Sequence, residues 1–507
     1  MTNRQVQDRS GRTALVTGAT GYIGSRLVPR LLEAGWRVRV FTRDAARLEG
    51  RVWRDDVEVV EGDAGEAADV AGALDGVSVA YYLLHSMGDR LGGGDFAARE
   101  RAMATTFAEA AVAGGVDRVA YLGGLHPAGE ELSSHLASRT EVGEILLDGG
   151  VPAVVLQAAV IVGSGSASFE MLRHLAERLP AMVAPRWLSN RIQPIAIRDV
   201  LHYLVAAGDL PPGVNRTFDI GGPDVLTYRE MIDGFCQVAG LPRRWIVTIP
   251  VLTPRLAGHW VGLVTPVPGG LAKPLVESLI HEVICTENDI VTQVPAPPGK
   301  LVGFEDSVRG ALQGNEEFPG SAPAERPESS QVGDPRWTGE TVYRDETSSL
   351  LDVPAQRAWA VVESVGGDGG WFVPGALWQV RGLVDRLVGG PGVRRGRPDR
   401  RLRPGDEVDH WRVEELDPGR RIVLRTDMRL PGQAWLELRV DPEGPGRCRL
   451  SQRAVFHPTG LTGHLYWAAM LAGHLPAFRL MHLGMVRAAG RAGNRPPSAD
   501  PQQAVRN

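Results

Sequence analysis

Cysteine is scarce in this chain. Its three cysteines among 507 residues, Cys236, Cys285 and Cys448, lie far apart and match neither a zinc-ligand spacing nor a disulfide framework. Single cysteines spaced in this way are typical of small buried side chains in a reducing compartment. We therefore expect no metal site and no disulfide bond.

The chain also lacks a long apolar run and a strong excess of charge of one sign. The most apolar C-terminal stretch, Leu465–Val486, is interrupted by two histidines, a proline and an arginine, which argues against a membrane span. The polar beginning, MTNRQVQDRSGR, has no apolar core of a signal peptide. A formal net charge of −5 gives no reason to propose a nucleic-acid partner. We expect a cytoplasmic protein without a transmembrane segment.

The length of the chain predicts more than one domain, because 507 residues exceed what one core usually holds. Residues 313–336 are rich in Pro, Glu, Ser and Gly with almost no apolar residue, which is typical of a linker. We predict a first domain over 1–312, with a substrate side over about 163–312. A second domain is expected over 337–490, followed by a disordered tail over 491–507.

Strands and helices alternate in the first domain. The sequence predicts β-strands at Thr13–Thr17, Arg37–Thr42, Val57–Glu61, Val79–Leu84, Val119–Leu122 and Ala153–Val162, of which Val79–Leu84 is a continuous apolar run. Alternating units of this kind form a parallel sheet with helices on both faces. The first domain is therefore predicted to be α/β, with a Rossmann-type doubly wound parallel sheet.

The second domain has a different pattern. Strands joined by Pro-Gly turns are predicted at Glu407–Glu415, Arg421–Met428, Ala434–Val440 and Arg447–Phe456. A long helix over Leu461–Ala489 follows, so we predict an α+β domain with an antiparallel sheet against that helix.

The tryptophans of the second domain have two interpretations. Trp378, Trp411, Trp435 and Trp467 are numerous for a chain with 6% aromatic residues. They either line a cavity for a hydrophobic small molecule or pack in the core. Both interpretations stay open on the sequence alone.

Glycines at three-residue spacing follow the first predicted strand and open a helix. Such a turn lets backbone N–H groups approach a diphosphate without an obstructing Cβ, and the helix N-terminus adds partial positive charge. The sequence therefore predicts a dinucleotide site, with a purely structural turn as the alternative. The residues expected to hold the cofactor here are Gly18, Thr20, Gly21, Tyr22, Ile23 and Gly24.

Further cofactor contacts are expected where the next strands end. Arg43 is suited to the 2′-phosphate of NADP, whereas the adjacent Asp44 is the residue type that holds the ribose 2′-OH of NAD. Asp63 is expected to accept the adenine amino group, and Leu84 and Ser86 lie where the ribose beside the nicotinamide belongs. We predict NADP(H) as the preferred cofactor and NAD(H) as the alternative.

The sequence resembles a known superfamily over nearly its whole length. The TGATGYIG turn, Gly62 with the aspartate after it, and Phe218–Ile232 resemble the atypical, extended branch of the short-chain dehydrogenase/reductases. Ala80–Gly88 and His135–Leu146 resemble bacterial NAD(P)-binding proteins with an extra C-terminal domain of unknown function, which residues 337–489 match. That second domain is also similar to helix-grip, lipid-transfer-like folds.

The resemblance implies carbonyl chemistry, but this chain departs from the usual residues. Members of the superfamily use Tyr-x-x-x-Lys on the helix after the fifth strand, and here that register falls on His135 and Arg139. A histidine titrates near neutral pH and can relay a proton, whereas Arg139 can hold the ribose but does not release its proton. These two are therefore the candidate catalytic residues.

Three functions remain open. The first is an NAD(P)H-dependent oxidoreductase acting on a hydrophobic carbonyl or quinone-like compound. The second is a non-catalytic NADP(H) redox sensor or assembly factor, favoured by the missing Tyr/Lys pair. The third is a nucleotide-sugar epimerase or dehydratase, which is weaker because those enzymes also use Tyr and Lys. We rank the oxidoreductase first.

Overall fold

A computed structural model describes residues 9, 11–84, 96–127, 132–249, 261, 264–297, 299–313, 342–367, 370–372, 396–398 and 400–491. The chain forms two compact units, Met1–Gly339 and Glu340–Asn507. Of the predicted linker only residue 313 lies within the described residues, and of the predicted tail only residue 491. The finer domain boundaries stay predictions.

The first unit alternates strands with helices. Its strands are β1 (Thr13–Thr17), β2 (Arg37–Thr42), β3 (Glu58–Glu61), β4 (Val79–Tyr82), β5 (Arg118–Gly124), β6 (Ala153–Ala158), β7 (Ile161–Val162), β8 (Ala181–Pro185), β9 (Arg191–Ile192), β10 (Ile195–Ala196), β11 (Arg216–Ile220), β12 (Leu226–Thr227) and β13 (Trp245–Ile249). Its α-helices are α1 (Tyr22–Glu33), α2 (Ala67–Leu74), α3 (Phe96–Ala113), α4 (Ser134–Asp148), α5 (Ala167–Arg178), α6 (Ile197–Ala207), α7 (Tyr228–Val238), α8 (Gly269–Ser278), α9 (Ile290–Gln293) and α10 (Phe304–Gln313).

The predicted parallel sheet is confirmed. Seven strands pair in the order β11-β6-β5-β4-β1-β2-β3, and all neighbours are parallel. Successive residues of β1 face opposite sides of the sheet. Ala14 and Val16 lie in a core with α1 and α6, and Leu15 lies in a second core with α2 and α3. Helices therefore cover both faces, as in a doubly wound fold.

One predicted strand is wrong in its extent. The apolar run Ala153–Val162 does not form one strand, because the chain leaves the main sheet after Ala158. Ile161–Val162 instead pair with Ile195–Ala196 in a separate two-stranded sheet. Both parts of the run are apolar and mostly buried, so the hydrophobic pattern does not indicate that the chain leaves the main sheet after Ala158.

The second unit combines one sheet with two helices in its described part. Its elements are β14 (Tyr343–Leu351), α11 (Ala355–Glu363), β15 (Glu407–Val408), β16 (Trp411–Asp417), β17 (Arg421–Thr426), β18 (Gly432–Pro442), β19 (Cys448–Pro458) and α12 (Gly460–Arg491). The strands form a six-stranded antiparallel sheet in the order β14-β19-β18-β17-β16-β15, and α12 packs against β14 and β19. The predicted α+β class is confirmed, and the finer resemblance to helix-grip folds stays a prediction.

The predicted strand Glu407–Glu415 is interrupted. Asp409 adopts a positive φ of 57° between β15 and β16. Its carboxylate accepts hydrogen bonds from Gly367 N–H at 3.2 Å, Gly396 N–H at 3.0 Å and Trp371 Nε1 at 2.7 Å. These partners are distant in sequence, so the local pattern gives no sign of the break.

The tryptophans of this unit divide between the two interpretations. Trp411 is 3% exposed and belongs to the core, so for this residue core packing is correct. Trp467 is half-buried and stacks on Tyr343, with ring centroids 5.0 Å apart. Trp378 lies outside the described residues. The hydrophobic ligand of this unit stays a prediction.

The structure also bears on membrane and metal binding. No helix in the part of the chain that the structure describes combines the length and apolarity that a membrane crossing requires. The described ranges bring together no group of three or more His, Cys, Asp and Glu that could hold a metal ion.

Histidines of α12 face polar side chains of the edge strand β14. Tyr343 Oη and His464 Nδ1 are 2.9 Å apart, and Asp345 Oδ2 lies 3.4 Å from His474 Nε2. His482, which is 1% exposed, approaches the hydroxyl of Ser349 at 2.8 Å through Nε2. Burial lowers the pKa of His482, because the charged imidazolium loses its hydration.

We expect the contribution of His482 to the stability of this unit to fall as the pH drops from about 7.5 to about 5.5. The unfolded chain protonates His482 near its ordinary pKa, whereas the folded chain resists protonation, so unfolding takes up a proton in this range. His482→Gln cannot titrate and should lose less stability over the same range. Denaturant unfolding monitored by tryptophan fluorescence checks this; equal pH dependence of both proteins would contradict it.

Candidate functional site

The glycine turn after β1 brings the backbone of α1 close to the strand. Gly18 has a φ of +68°, and a Cβ there would lie 2.4 Å from the carbonyl oxygen of Leu83. A Cβ on Gly24 would lie 2.4 Å from the carbonyl oxygen of Gly18. Only glycine fits at either position, so the N-terminus of α1 lies directly over the end of the sheet. This is the cradle that a diphosphate requires.

Side chains hold the turn against neighbouring elements. The hydroxyl of Thr17 donates to the carbonyl of Tyr81 at 3.0 Å and accepts from the N–H of Leu83 at 2.9 Å. The second bond explains why β4 ends at Tyr82 and not at Leu84, as the sequence predicted. Arg26, which is 2% exposed, donates to the carbonyl of Ser164 at 2.8 Å and joins α1 to the loop after β7.

Arg43 and Asp44 follow β2 as predicted, and both are exposed. Asp44 is the N-cap of a 3-10 helix, Ala45–Leu48, and its carboxylate accepts the N–H of Ala46 at 3.0 Å. That carboxylate is therefore engaged in fixing the turn after β2.

Asp63 and Leu84 follow the ends of β3 and β4 in the same sheet. Asp63 is exposed after β3, where Oδ1 accepts the N–H of Gly65 at 2.9 Å. Gly62 before it packs so tightly that a Cβ would lie 2.9 Å from the ring of Phe41. Leu84 is half-buried after β4, and Ser86 lies outside the described residues.

The two candidate catalytic residues lie one turn apart on α4. His135 is 5% exposed, and the helix begins after Ser133, whose hydroxyl accepts the N–H of Leu136 at 3.3 Å. The hydroxyl of Tyr121 donates to the carbonyl of Arg139 at 3.3 Å. A Cβ placed on Gly124, at the end of β5, would lie 3.9 Å from Nη1 of Arg139. The structure therefore brings the Arg139 guanidinium to the carboxyl end of the sheet.

A cavity of about 130 Å³ lies beside α4. His135, Arg139, Gly124 and Ala158 border it, so it adjoins the ends of β5 and β6. Its lining is mainly apolar, with side chains from α5, α7, β8 and β9 that include Met171, Leu172, Met182, Ile192 and Ile232. A volume of this size holds a group comparable to a benzene ring.

Sequence reasoning missed Tyr228, a further polar residue that lines this cavity. It is the first residue of α7 and lies within Phe218–Ile232, which the sequence analysis used only for the resemblance. No spacing rule connects α7 with α4, so no signal in the sequence marked it.

Gly24→Ala should weaken binding of NADPH by at least about tenfold, because the new methyl group collides with the carbonyl of Gly18 and displaces α1. Calorimetric titration measures this. Gly72→Ala is the matched control, since a Cβ there meets nothing within 4 Å. Unchanged affinity of the Gly24 variant would show that the turn does not hold the cofactor.

Two family models match the chain. Residues 18–155 match a family described as NAD(P)H-binding. Residues 337–481 match a family described as protein of unknown function (DUF2867). The first match contains the glycine turn and both candidate catalytic residues, and the second lies in the second unit.

Two similar proteins are named reductases. The ceramide reductase of Caulobacter vibrioides is 30% identical over 303 residues, which are 58% of this chain and 92% of that protein. The (4-alkanoyl-5-oxo-2,5-dihydrofuran-3-yl)methyl phosphate reductase of Streptomyces griseus is 29% identical over 239 residues, which are 46% of this chain and 75% of that protein.

Among solved structures, the Citrobacter sp. triphenylmethane reductase complexed with NADP(H) matches 59% of this chain and all of its own, with 19% identity and a TM-score of 0.48. The similarity to the ceramide reductase extends over almost all of that protein. The chain therefore belongs to the atypical short-chain dehydrogenase/reductases, as an NAD(P)H-binding member that carries a DUF2867 domain.

Proposed function

We propose that this protein is an NADPH-dependent oxidoreductase that reduces a carbonyl group on an apolar compound. The observation that supports this best is the cavity at the ends of β5 and β6, which is mainly apolar but bordered by His135 and Arg139. Ligands of doubly wound folds bind beyond the carboxyl ends of the strands. A reacting carbonyl can therefore meet polar side chains while the rest of the molecule contacts apolar ones.

The fit of the cofactor rests on the glycine turn, where a Cβ at Gly18 or Gly24 would fill the space beside the backbone. When bound, the dihydronicotinamide supplies a hydride to the carbonyl carbon. In this proposal, Arg139 holds the ribose or carries positive charge toward the developing oxyanion, and His135 relays a proton. The names of the two reductase relatives support reduction over epimerisation.

The preference for NADP(H) is part of the proposal. Its support is the position of the exposed Arg43 at the end of β2, where an arginine suits a 2′-phosphate, together with the engagement of the Asp44 carboxylate as an N-cap. A preference for NAD(H) would instead require the Asp44 carboxylate to bind the ribose hydroxyls while it also caps the 3-10 helix.

Arg43→Ala should weaken the binding of NADPH by at least about tenfold and the binding of NADH by much less, because only NADPH carries the 2′-phosphate. Fluorescence titration of both cofactors measures the ratio. Arg47→Ala, which removes an exposed arginine in the next turn, should change neither affinity. Equal weakening of both cofactors by the Arg43 variant would contradict the assignment.

Turnover tests the proposed reaction. NADPH oxidation should be faster with long-chain methyl ketones or alkyl quinones than with small polar ketones, because the cavity lining is apolar. His135→Ala should lower kcat by about 100-fold, since the proton relay is lost. The NADPH affinity should stay within about twofold of the wild-type value, because the glycine turn that holds the diphosphate is unchanged.

His126→Ala is the control for this variant, since His126 lies beside Gln157, with Nε2 atoms 3.2 Å apart, and is not part of the cavity lining. NADPH binding without oxidation by any compound of the panel would contradict the proposal. That outcome would favour the redox sensor, for which the loss of the Tyr/Lys pair is the supporting observation.

A further inference from the structure

We propose that Tyr228 donates the proton to the substrate carbonyl oxygen, in the role that the missing tyrosine of α4 has in other members of the superfamily. The inference rests on the proposed reductase function and adds the acid that this function needs. It also places the reacting carbonyl between α4, which carries His135, and the first turn of α7.

The position of Tyr228 supports this role. The residue lines the same cavity as His135 and Arg139, and it packs against an apolar cluster that includes Phe235 and Ile232. Tyr228 is half-buried, and within the described residues its hydroxyl forms no hydrogen bond. The hydroxyl can therefore donate to a carbonyl oxygen in the cavity without first breaking a bond within the protein.

The backbone around Tyr228 is held firmly. Thr227 and Glu230 form a capping box, in which Thr227 Oγ1 accepts the N–H of Glu230 at 3.2 Å and Glu230 Oε2 accepts the N–H of Thr227 at 2.7 Å. Arg229 donates to the carbonyl of Ile246 at 2.7 Å. Because both neighbours are fixed, the ring of Tyr228 is pre-positioned at the cavity.

Arg139 lines the same cavity but suits the proton donor role less well, because a guanidinium does not release its proton. Burial raises the pKa of Tyr228, so its hydroxyl is protonated at physiological pH and can donate a hydrogen bond to a carbonyl oxygen. Since Tyr228 is the first residue of α7, the helix dipole favours the negative charge left on the phenolate.

The Tyr228 O–H bond breaks and an O–H bond forms on the carbonyl oxygen, as the carbonyl carbon accepts the hydride and becomes a carbinol. The phenolate then recovers a proton from solvent, for which His135 is the relay, because imidazole titrates near neutral pH and the phenol does not. The net reaction consumes one carbonyl, one reduced cofactor and one proton.

Infrared spectroscopy of a bound ketone tests the hydrogen bond without turnover. A long-chain methyl ketone with an isotope-labelled carbonyl is added to the protein saturated with NADP+, which cannot supply a hydride. In the wild-type protein the C=O stretch should lie below its frequency in hexane, and Tyr228→Phe should move it back toward that frequency. The same frequency in both proteins, or a wild-type stretch equal to that in hexane, overturns the inference.

Kinetics give the second readout. Tyr228→Phe should lower kcat by about 100-fold and leave the NADPH affinity within about twofold. Tyr203→Phe makes the same chemical change at a buried tyrosine that is not among the residues lining the cavity, and it should retain wild-type kcat. A Tyr228 variant that reduces ketones at the wild-type rate overturns the inference while the reductase function stands. A wild-type protein that binds NADPH and reduces no ketone refutes the function itself.

Discussion

The close contact between Gly24 and the carbonyl of Gly18 is the constraint on which the site of this protein depends. A Cβ at Gly24 would lie 2.4 Å from that oxygen, so α1 can approach β1 only through glycine. The hydroxyl of Thr17 then joins the ends of β1 and β4 by bonding to Tyr81 and Leu83. The cofactor turn and the neighbouring strand ends are therefore one connected unit of backbone, and the cavity adjoins the same sheet at β5 and β6.

The proposed function separates cofactor binding from chemistry. The turn needs backbone shape, which glycine provides, whereas the side chains proposed for proton transfer lie on α4 and α7. Side chains on helices can change without disturbing the turn. On the proposed mechanism, a chain with His135 and Arg139 in the usual Tyr and Lys positions keeps the fold and the NAD(P)H site, while Tyr228 supplies the acid from another element.

Local features of the sequence were enough to predict the turn and most of the parallel sheet. β1 and β2 have their predicted bounds, because each strand-forming run ends in a glycine or polar turn. The ends of β6 and β15 were not predictable, since they depend on distant partners such as Ile195 and Trp371. His135 and Arg139 could be identified in the sequence because they occupy the Tyr and Lys positions of the Tyr-x-x-x-Lys motif. Tyr228 belongs to no such motif and reaches the cavity only through the tertiary fold.

The most direct test of the account follows the hydride. NADPH carrying deuterium at its transferable position is incubated with the protein and a long-chain methyl ketone, and the product is analysed by mass spectrometry. The account predicts a secondary alcohol with one deuterium on the carbinol carbon for each NADPH oxidised. An alcohol without deuterium, or NADPH that stays bound and reduced in the presence of the ketone, would contradict it.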